Sequence, residues 1–510
     1  MRATDGPARP RVLIINAYVH PWRSATPTRL FIPRAMAPYY LAGAFDRQRV
    51  DIRVHDEVHH GALLDPKLYA WPDMVVFTGL TAAFDRTRQL CAYVRHFSGA
   101  VTVIGGPIAR ALPAPCAAVF DHVLQGDVDE ISTVIDEVFG PGHRADILTP
   151  AYDLGGRSRL LGAVETTVNC NFACAFCSLA GEKRPYVRHT DASITRQIEA
   201  LGKVHALTIL DNNFYGNDRK SFEARTELLG DHWRRGAFKG WGALVTMDFF
   251  AKPQNIELVA KNGCVALFSG VESLDPAVLK TFNKRHSLSS DPATLSKACA
   301  EHGIIFDYGM IFDFGQQTMA EVDGQMDTIL GDPDIAIPGL ISLTIPILGT
   351  PYFDTAAKAG RLMPNLRLCD CDGQKLVEWP KEPVEAVTPF VRDLLTFRGR
   401  KAALFKKAVS HAWRARRAFG VQKTLFNLVR PMVRYGGTVR LGTLAQMRAG
   451  WSEKPLTFCA TTDPLSSAYR PHVPLPARYE GHFAPFTLTD ANGAPTEAVQ
   501  TRLLAKAPVG

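Results

Sequence analysis

Between residues 11 and 140 two kinds of pattern alternate along the chain. Short unbroken apolar runs, "RVLIINAY", "VDIRVHD", "DMVVFTGLT" and "AVTVIGGP", are separated by stretches with helical spacing such as "MAPYYLAGAF" and "FDRTRQLCAYVRHF". "DHVLQGD" and "EISTVIDEVFG" continue the series. A strand covered on both faces reads as a continuous apolar run, and a surface helix keeps one apolar stripe. The alternation therefore predicts a doubly wound, Rossmann-like parallel α/β domain over 11–140, behind a short tail at 1–10. Ligands on such sheets sit at the carboxyl ends of the strands, where Gly105, Gly106 and Gly126 fall. Residues 141–159, "PGHRADILTPAYDLGGRSR", have the composition of a linker. From 160 the alternation resumes with six strand candidates: "LLGAVETTV", "ALTILDN", "GWGALVTM", "CVALFSGVES", "IIFDYGMIFDF" and "GLISLTIPIL". Six βα units are too few to close a full barrel, so 160–355 is expected to form an open, partial (βα)6 barrel. Beyond 356 the alternation stops, and 356–510 is expected to be a mostly helical C-terminal domain.

Composition narrows the class without deciding it. The chain has 510 residues, 46% apolar and 21% charged, ordinary for a globular protein. Its N-terminus lacks the apolar run of a signal peptide, and no eighteen uncharged apolar residues run together. Ten cysteines then read as reduced thiols or metal ligands, and the expected compartment is the cytoplasm. The net charge of +8 is local: residues 398–440 hold twelve Lys or Arg and no Asp or Glu, leaving the rest slightly acidic. There Leu404, Val409 and Trp413 are spaced for one helical face, with Lys406, Lys407, Arg414, Arg416 and Arg417 nearby. Two readings stand: a solvated helix packed on the barrel, or peripheral contact with an anionic membrane surface. No RNA-binding module accompanies it, so no nucleic-acid partner is expected.

The densest chemistry is "VNCNFACAFCSLAG", with Cys170, Cys174 and Cys177 in the spacing C-x-x-x-C-x-x-C. A closed zinc site wants four ligands, and no second Cys-x-x-Cys lies nearby. A redox dithiol needs two thiols. A [4Fe–4S] cluster usually takes four cysteines, so three leave one iron with an open position.

This loop after the first strand of a partial (βα)6 barrel resembles that of the radical S-adenosylmethionine (radical SAM) superfamily. The resemblance implies that Cys170, Cys174 and Cys177 hold a [4Fe–4S] cluster whose open iron binds SAM. One electron from it then breaks a carbon–sulfur bond of the sulfonium. Phe176 matches the aromatic that flanks the adenine. "LTILDNNFYGN" resembles the second-strand motif, with Asp211, Asn212 and Asn213 set to receive the SAM ammonium or ribose. "GCVALFSGVESLDPAVLKTFNK" resembles the fourth-strand pattern in which Gly270, Glu272 and Ser273 approach SAM. "TIPILGTPYFDTAAKAGRL" resembles the end of the barrel. An electron donor such as flavodoxin or ferredoxin and a small-molecule substrate are implied partners.

The preceding domain is similar to the cobalamin-binding domain of cobalamin-dependent radical SAM enzymes. That likeness implies a corrin near Thr81, Gly105, Gly106 and Gly126, and methyl transfer to a small molecule or natural-product intermediate. One departure is plain: the cobalt-ligating D-x-H-x-x-G is absent. The nearest match, "DEVHHG" at Asp56–Gly61, has His59 one position late and follows the second strand. A second reading is a cobalamin-free domain and transfer of the 3-amino-3-carboxypropyl group of SAM to a soft acceptor such as arsenite, held by Cys369 and Cys371 in "LRLCDCDGQK". A third is a non-catalytic iron–sulfur sensor or scaffold, which would have no use for a SAM site. Cys91, Cys116, Cys264 and Cys299 lie in apolar surroundings and read as core; Cys459 carries no signal.

Overall fold

The structure, a computed structural model, describes residues 9–18, 34–156, 160–182, 184–288, 291–373, 375–435 and 470–505. The first unit is a five-stranded parallel sheet of β1 (Arg11–Asn16), β2 (Asp51–Asp56), β3 (Met74–Thr78), β4 (Val101–Ile104) and β5 (His122–Val123), in the order β2-β1-β3-β4-β5. Alternate residues of β1 and β3 supply two cores. Val12, Ile14, Met74 and Val76 pack with Ile131, Val134 and Ile135 of the helix Ile131–Phe139. Leu13, Ile15, Val75 and Phe77 share the other core with Leu90 and Tyr93 of the helix Phe84–Phe97. Burial on both faces is why these strands read as unbroken apolar runs.

The second unit begins with β6 (Leu161–Val164), then a two-stranded antiparallel clamp of β7 (Thr167–Val168) and β8 (Val187–Arg188). It continues with β9 (Ala206–Ile209), β10 (Trp241–Leu244), β11 (Cys264–Glu272), β12 (Ile305–Phe312) and β13 (Leu340–Leu343). These form a curled parallel sheet in the order β13-β12-β11-β10-β9-β6, the open partial barrel that the six apolar runs predict. The clamp has no counterpart in the periodicity. Each of its strands is two residues long, too short to leave an alternating pattern. It also moves Cys170 from the end of the first barrel strand to a loop beyond β7.

Residues 470–486 run back over the first unit, and 487–505 return to the second, where Arg502 donates to Asp354 at 2.9 Å. Arg88 donates to the carbonyls of Gly481 and Ala484 at 2.5 and 2.9 Å, and the Phe486 amide donates to Asp85 at 2.8 Å. The helical C-terminal region is dominated by the helix Lys401–Tyr435, which breaks at Gly420, where φ is 65°. Leu404, Ala408, Ala415 and Phe419 face inward. The sequence expectation that Leu404, Val409 and Trp413 share a face is corrected here. Leu404 is buried against the barrel, whereas Val409 and Trp413 stand outward beside Phe405. Lys407 also differs, being buried with its ammonium on the Asp332 carbonyl. Among the described residues no helix is long and apolar enough to cross a membrane.

Candidate active site at the barrel mouth

The cysteine loop is an excursion closed at its base by the β7–β8 clamp and pinned on both flanks. The Ala175 amide donates to the Phe282 carbonyl at 2.9 Å, and the Tyr352 amide donates to the Ala175 carbonyl at 3.0 Å. Asn283 Nδ2 donates to the Ala173 carbonyl at 2.9 Å. Phe176 packs on Phe282, with ring centres 5.0 Å apart. These bonds draw the loop onto the segments that follow β11 and β13, at the carboxyl edge of the barrel.

Cys170, Cys174 and Cys177 are each partly covered and lie within electrostatic reach of at least one other member of the set. Burial pushes all three thiols up, Cys174 to about 11, and the Lys284 ammonium opposes that rise at each. Among the described residues no three His, Cys, Asp or Glu side chains converge closely enough to hold a metal ion. Three soft donors spread along one loop instead suit a group with several corners, as an iron–sulfur cube has.

Lys284 was not singled out in the sequence; its only trace there is its place after "DPAVLKTF". It is buried, ion-paired with buried Glu272, and 5.8 Å from the centre of the Phe176 ring. Glu272 follows an irregularity in the pairing of β11 with β12, where Gly270 faces Gly309 and Glu272 faces Met310. Its φ of 65° is a left-handed conformation costly for a side chain of this kind. A Cβ on Gly270 would collide with the Glu272 carboxylate and the Lys284 ammonium, so glycine there leaves room for the pair. Ser273 is buried and hydrogen-bonded to Gln325 Oε1 at 3.1 Å.

At the end of β9, Asp211 is fully buried and accepts from the Thr166 amide at 2.6 Å and the Thr166 hydroxyl at 2.5 Å. Both its oxygens are thus directed at the β6 end. Asn213 is buried and donates to Asn171 Oδ1 in the cysteine loop at 2.7 Å, while Asn212 is exposed. Asp211 and Asn213 are placed to shape the mouth through neighbouring segments, and Asn212 is the member of the trio open to solvent.

The carboxyl edge of the first sheet meets this mouth. Arg110 donates to the carbonyls of Gln125 and Gly126 at 2.7 and 2.6 Å and ion-pairs with Glu182 at 2.8 Å, on the helix Ser178–Glu182 that follows Cys177. Arg184 pairs with Asp127. In a sheet of this order the crevice lies between β1 and β3. There a Cβ on Gly79 would come within 3.0 Å of the Ala17 carbonyl. Leu80 is 67% exposed beside half-buried Thr81. Gly105 and Gly106 follow β4 on the same edge, Gly106 at φ 89° with open space beside it, whereas the Gly126 amide donates to the Glu130 carboxylate at 2.5 Å. The side-chain-free Gly106 and the exposed Leu80 are the features of this edge that fit a broad planar ligand such as a corrin. His59 lies on the helix Glu57–His60 beyond β2, one strand removed from that crevice. Most of the loop between β1 and the next helix falls outside the described residues.

Cys369 and Cys371 sit at a turn, Leu368–Asp370, that packs against Thr81–Ala83. Cys369 is fully enclosed, its thiol driven well above the usual range by burial and by the Asp370 charge, and Cys371 is half-buried. Asp370 is held by Arg367 at 2.6 Å and Lys375 at 2.8 Å. Cys91, Cys116, Cys264 and Cys299 are buried, as expected of core residues. Cys459 lies outside the described residues.

A polar cluster that the sequence reading missed closes the mouth beside β12 and β13. Asp313, Thr344, Lys375 and Glu378 line a cavity of about 20 Å³, room for one water-sized group. Tyr352 ties it to the cysteine loop, its hydroxyl donating to Asp313 at 2.7 Å. Glu378 is buried, its Oε2 makes no hydrogen bond, and Arg361 stands 3.5 Å away. Burial and the Asp313 charge push its carboxyl up to about 7. The folded state then holds a proton that the unfolded chain releases above about 4.3. Stability contributed by this group is present at low pH and falls as pH rises through about 7. Glu378→Gln should flatten that slope, read as urea midpoints at pH 5 and pH 8. An unchanged slope would remove Glu378 as its source.

Residues 164–317 match the sequence model of the Radical SAM superfamily. Hopanoid C-2 methylase of Rhodopseudomonas palustris (strain TIE-1) is 25% identical over 335 residues, 61% of this chain and 62% of that protein. Bacteriochlorophyllide d C-12(1)-methyltransferase of Chlorobaculum tepidum is 28% identical over 196 residues, 37% of this chain and 41% of that protein. The chain thus spans less than two thirds of either relative. Among solved structures, OxsB, a cobalamin-dependent S-adenosylmethionine radical enzyme with aqua-cobalamin and SAM bound, superposes with a TM-score of 0.55. The identity is 12%, covering 90% of this chain and 83% of that one. The radical SAM methyltransferase TsrM of Kitasatospora setae, with cobalamin and a [4Fe–4S] cluster bound, superposes with a TM-score of 0.53. Here identity is 15%, covering 70% of this chain and 79% of that one. At such identities the likeness is one of fold.

Proposed function

From the radical SAM domain at residues 164–317, joined to a doubly wound domain of the cobalamin-binding type, we infer that this chain is a radical SAM enzyme, and we propose that it transfers a methyl group to a small molecule with cobalamin as carrier. The observation that carries this reading is the placement of the three-cysteine loop. It lies between the Glu272–Lys284 pair and the glycine-rich carboxyl edge of the first sheet, which Arg110 and Glu182 join to it. The names of both curated relatives, a methylase and a methyltransferase, support the methyl-transfer part.

Cys170, Cys174 and Cys177 would hold a [4Fe–4S] cluster, which when bound supplies an iron open to SAM and the electron for its reductive cleavage; a corrin would supply the methyl carrier. In this reading the chain's own groups position and insulate. Phe176 and Phe282 keep water from one flank of the loop. Lys284 places a cation among three thiolates, and Glu272 balances it. Gly270 leaves room for the pair, and Ser273 is held beside it by Gln325. Thr81, Gly105, Gly106 and Gly126 lie on the sheet edge that would take a corrin, with Gly106 its least encumbered point.

Protein produced with cobalamin and purified without oxygen should retain about one corrin per chain, read from its visible absorbance. Protein that binds iron yet no corrin would instead favour the cobalamin-free reading, including aminocarboxypropyl transfer.

A further inference from the structure

Elsewhere among the described residues, exposed large apolar side chains such as Leu64, Ile147 and Trp379 occur singly. The helix Lys401–Tyr435 is different. Before its break at Gly420, Phe405, Val409 and Trp413 recur every four residues on the outer face, with Phe405 58% and Trp413 65% exposed. After the break, Val421, Leu425 and Val429 do the same with exposed Phe426 beside them, Val421 being 79% exposed. The two outward stripes therefore belong to one helix and its continuation, not to scattered surface residues.

Charge follows the outer face of the segment before the break. Segment 398–435 contains no Asp or Glu. Some of its cations are used internally: Arg400 on Asp323, Lys407 on the Asp332 carbonyl, Arg430 on Asp307. Lys401, Lys406 and Arg417 are exposed among the outward apolar residues. Arg416 stacks on Trp413, 3.8 Å from the ring centre. Apolar and basic groups mixed on one helical face, with an aromatic among them, are the chemistry of a helix lying in the headgroup layer of an acidic bilayer.

We propose that the helix Lys401–Tyr435 docks this protein on an anionic lipid surface. Two other occupants fit the face less well. A second copy meeting it about a two-fold axis would bring two acid-free basic faces together. A nucleic acid would satisfy the cations and leave Val409, Val421, Leu425 and Val429 in water. The docking also has a direction. After Gly420 the helix lies under the amino ends of the last two strands: Lys423 donates to the Gly303 carbonyl at 2.6 Å, and Tyr435 to the Pro338 carbonyl at 2.7 Å. A bilayer held there faces the end of the barrel opposite the cysteine loop, so the mouth opens to the aqueous side.

The test is co-sedimentation of the full chain with vesicles of phosphatidylcholine alone or mixed with phosphatidylglycerol. Binding is expected to the mixed vesicles, about tenfold weaker to phosphatidylcholine alone and in about 0.5 M salt. Val421→Ser/Phe426→Ser and Lys406→Glu/Arg417→Glu should each weaken it about tenfold, with circular dichroism and gel-filtration volume unchanged. The proposal is overturned if the wild type stays in the supernatant with phosphatidylglycerol vesicles, or if both variants bind them as well as it does. It is equally overturned if the wild type is a dimer that Val421→Ser/Phe426→Ser turns into a monomer.

Discussion

Cys174→Ala, purified without oxygen and reconstituted with iron and sulfide, should carry about a tenth or less of the iron bound by the wild type. The variant should fold normally, because the loop is not held by its sulfurs. The amide of Ala175, the carbonyls of Ala173 and Ala175 and the Phe176 ring all keep their partners when the Cys174 side chain is cut back. A buried cysteine provides the contrast. Cys299 is enclosed in the apolar core on the helix Pro292–Glu301. Cys299→Ala should lower stability by about 1 kcal/mol and leave the iron content unchanged. Iron retained in Cys174→Ala, or lost equally in both variants, would contradict the assignment of the loop.

The second large effect is expected at the Glu272–Lys284 pair. Both side chains are about nine-tenths buried and pair with each other. Lys284→Met leaves the Glu272 carboxylate buried without its counter-ion, a loss on the order of 3–5 kcal/mol. Glu272→Gln/Lys284→Met removes both charges and should recover a large part of it, which a double-mutant cycle in urea measures. Position 272 carries a further constraint, its φ of 65°, so Glu272→Gly should relieve backbone strain while still stranding the lysine. If the pair also serves the three thiols, Lys284→Met reconstituted with iron and sulfide should show an altered reduction potential as well as a lower urea midpoint. A lower midpoint with an unaltered potential would leave the pair a purely structural role.

Strands were the most legible part of the chain. β1, β3 and β4 are covered on both faces and keep their apolar runs unbroken, and all six strands of the open barrel lie within runs visible in the sequence. The β7–β8 clamp was not legible, because four residues in two strands leave no period. Nor was the outward turn of Val409 and Trp413. Helical spacing groups residues by face but does not say which face the barrel takes, and small Ala408, Ala412 and Ala415 took it.

The site divides in the same way. The cysteine loop announced itself by the spacing of three residues of one type, and Gly270, Glu272 and Ser273 by order along the chain. Lys284 and Glu378 could not be found so. Each acquires its character from burial beside a partner distant in sequence, Glu378 from Asp313 and Arg361. Asp211 shows the converse: a polar residue at a strand end reads as a ligand group, yet its oxygens are taken by Thr166.

The measurement that bears most directly on the proposed chemistry is mass spectrometry of SAM fragments. The protein is reconstituted with iron, sulfide and cobalamin and supplied with SAM and dithionite without oxygen. Reductive cleavage at the cysteine loop predicts 5′-deoxyadenosine, with S-adenosylhomocysteine from methylation of the corrin, and none of the former from Cys170→Ala/Cys174→Ala/Cys177→Ala. SAM left intact by the wild type, or broken down equally by the triple variant, would contradict it.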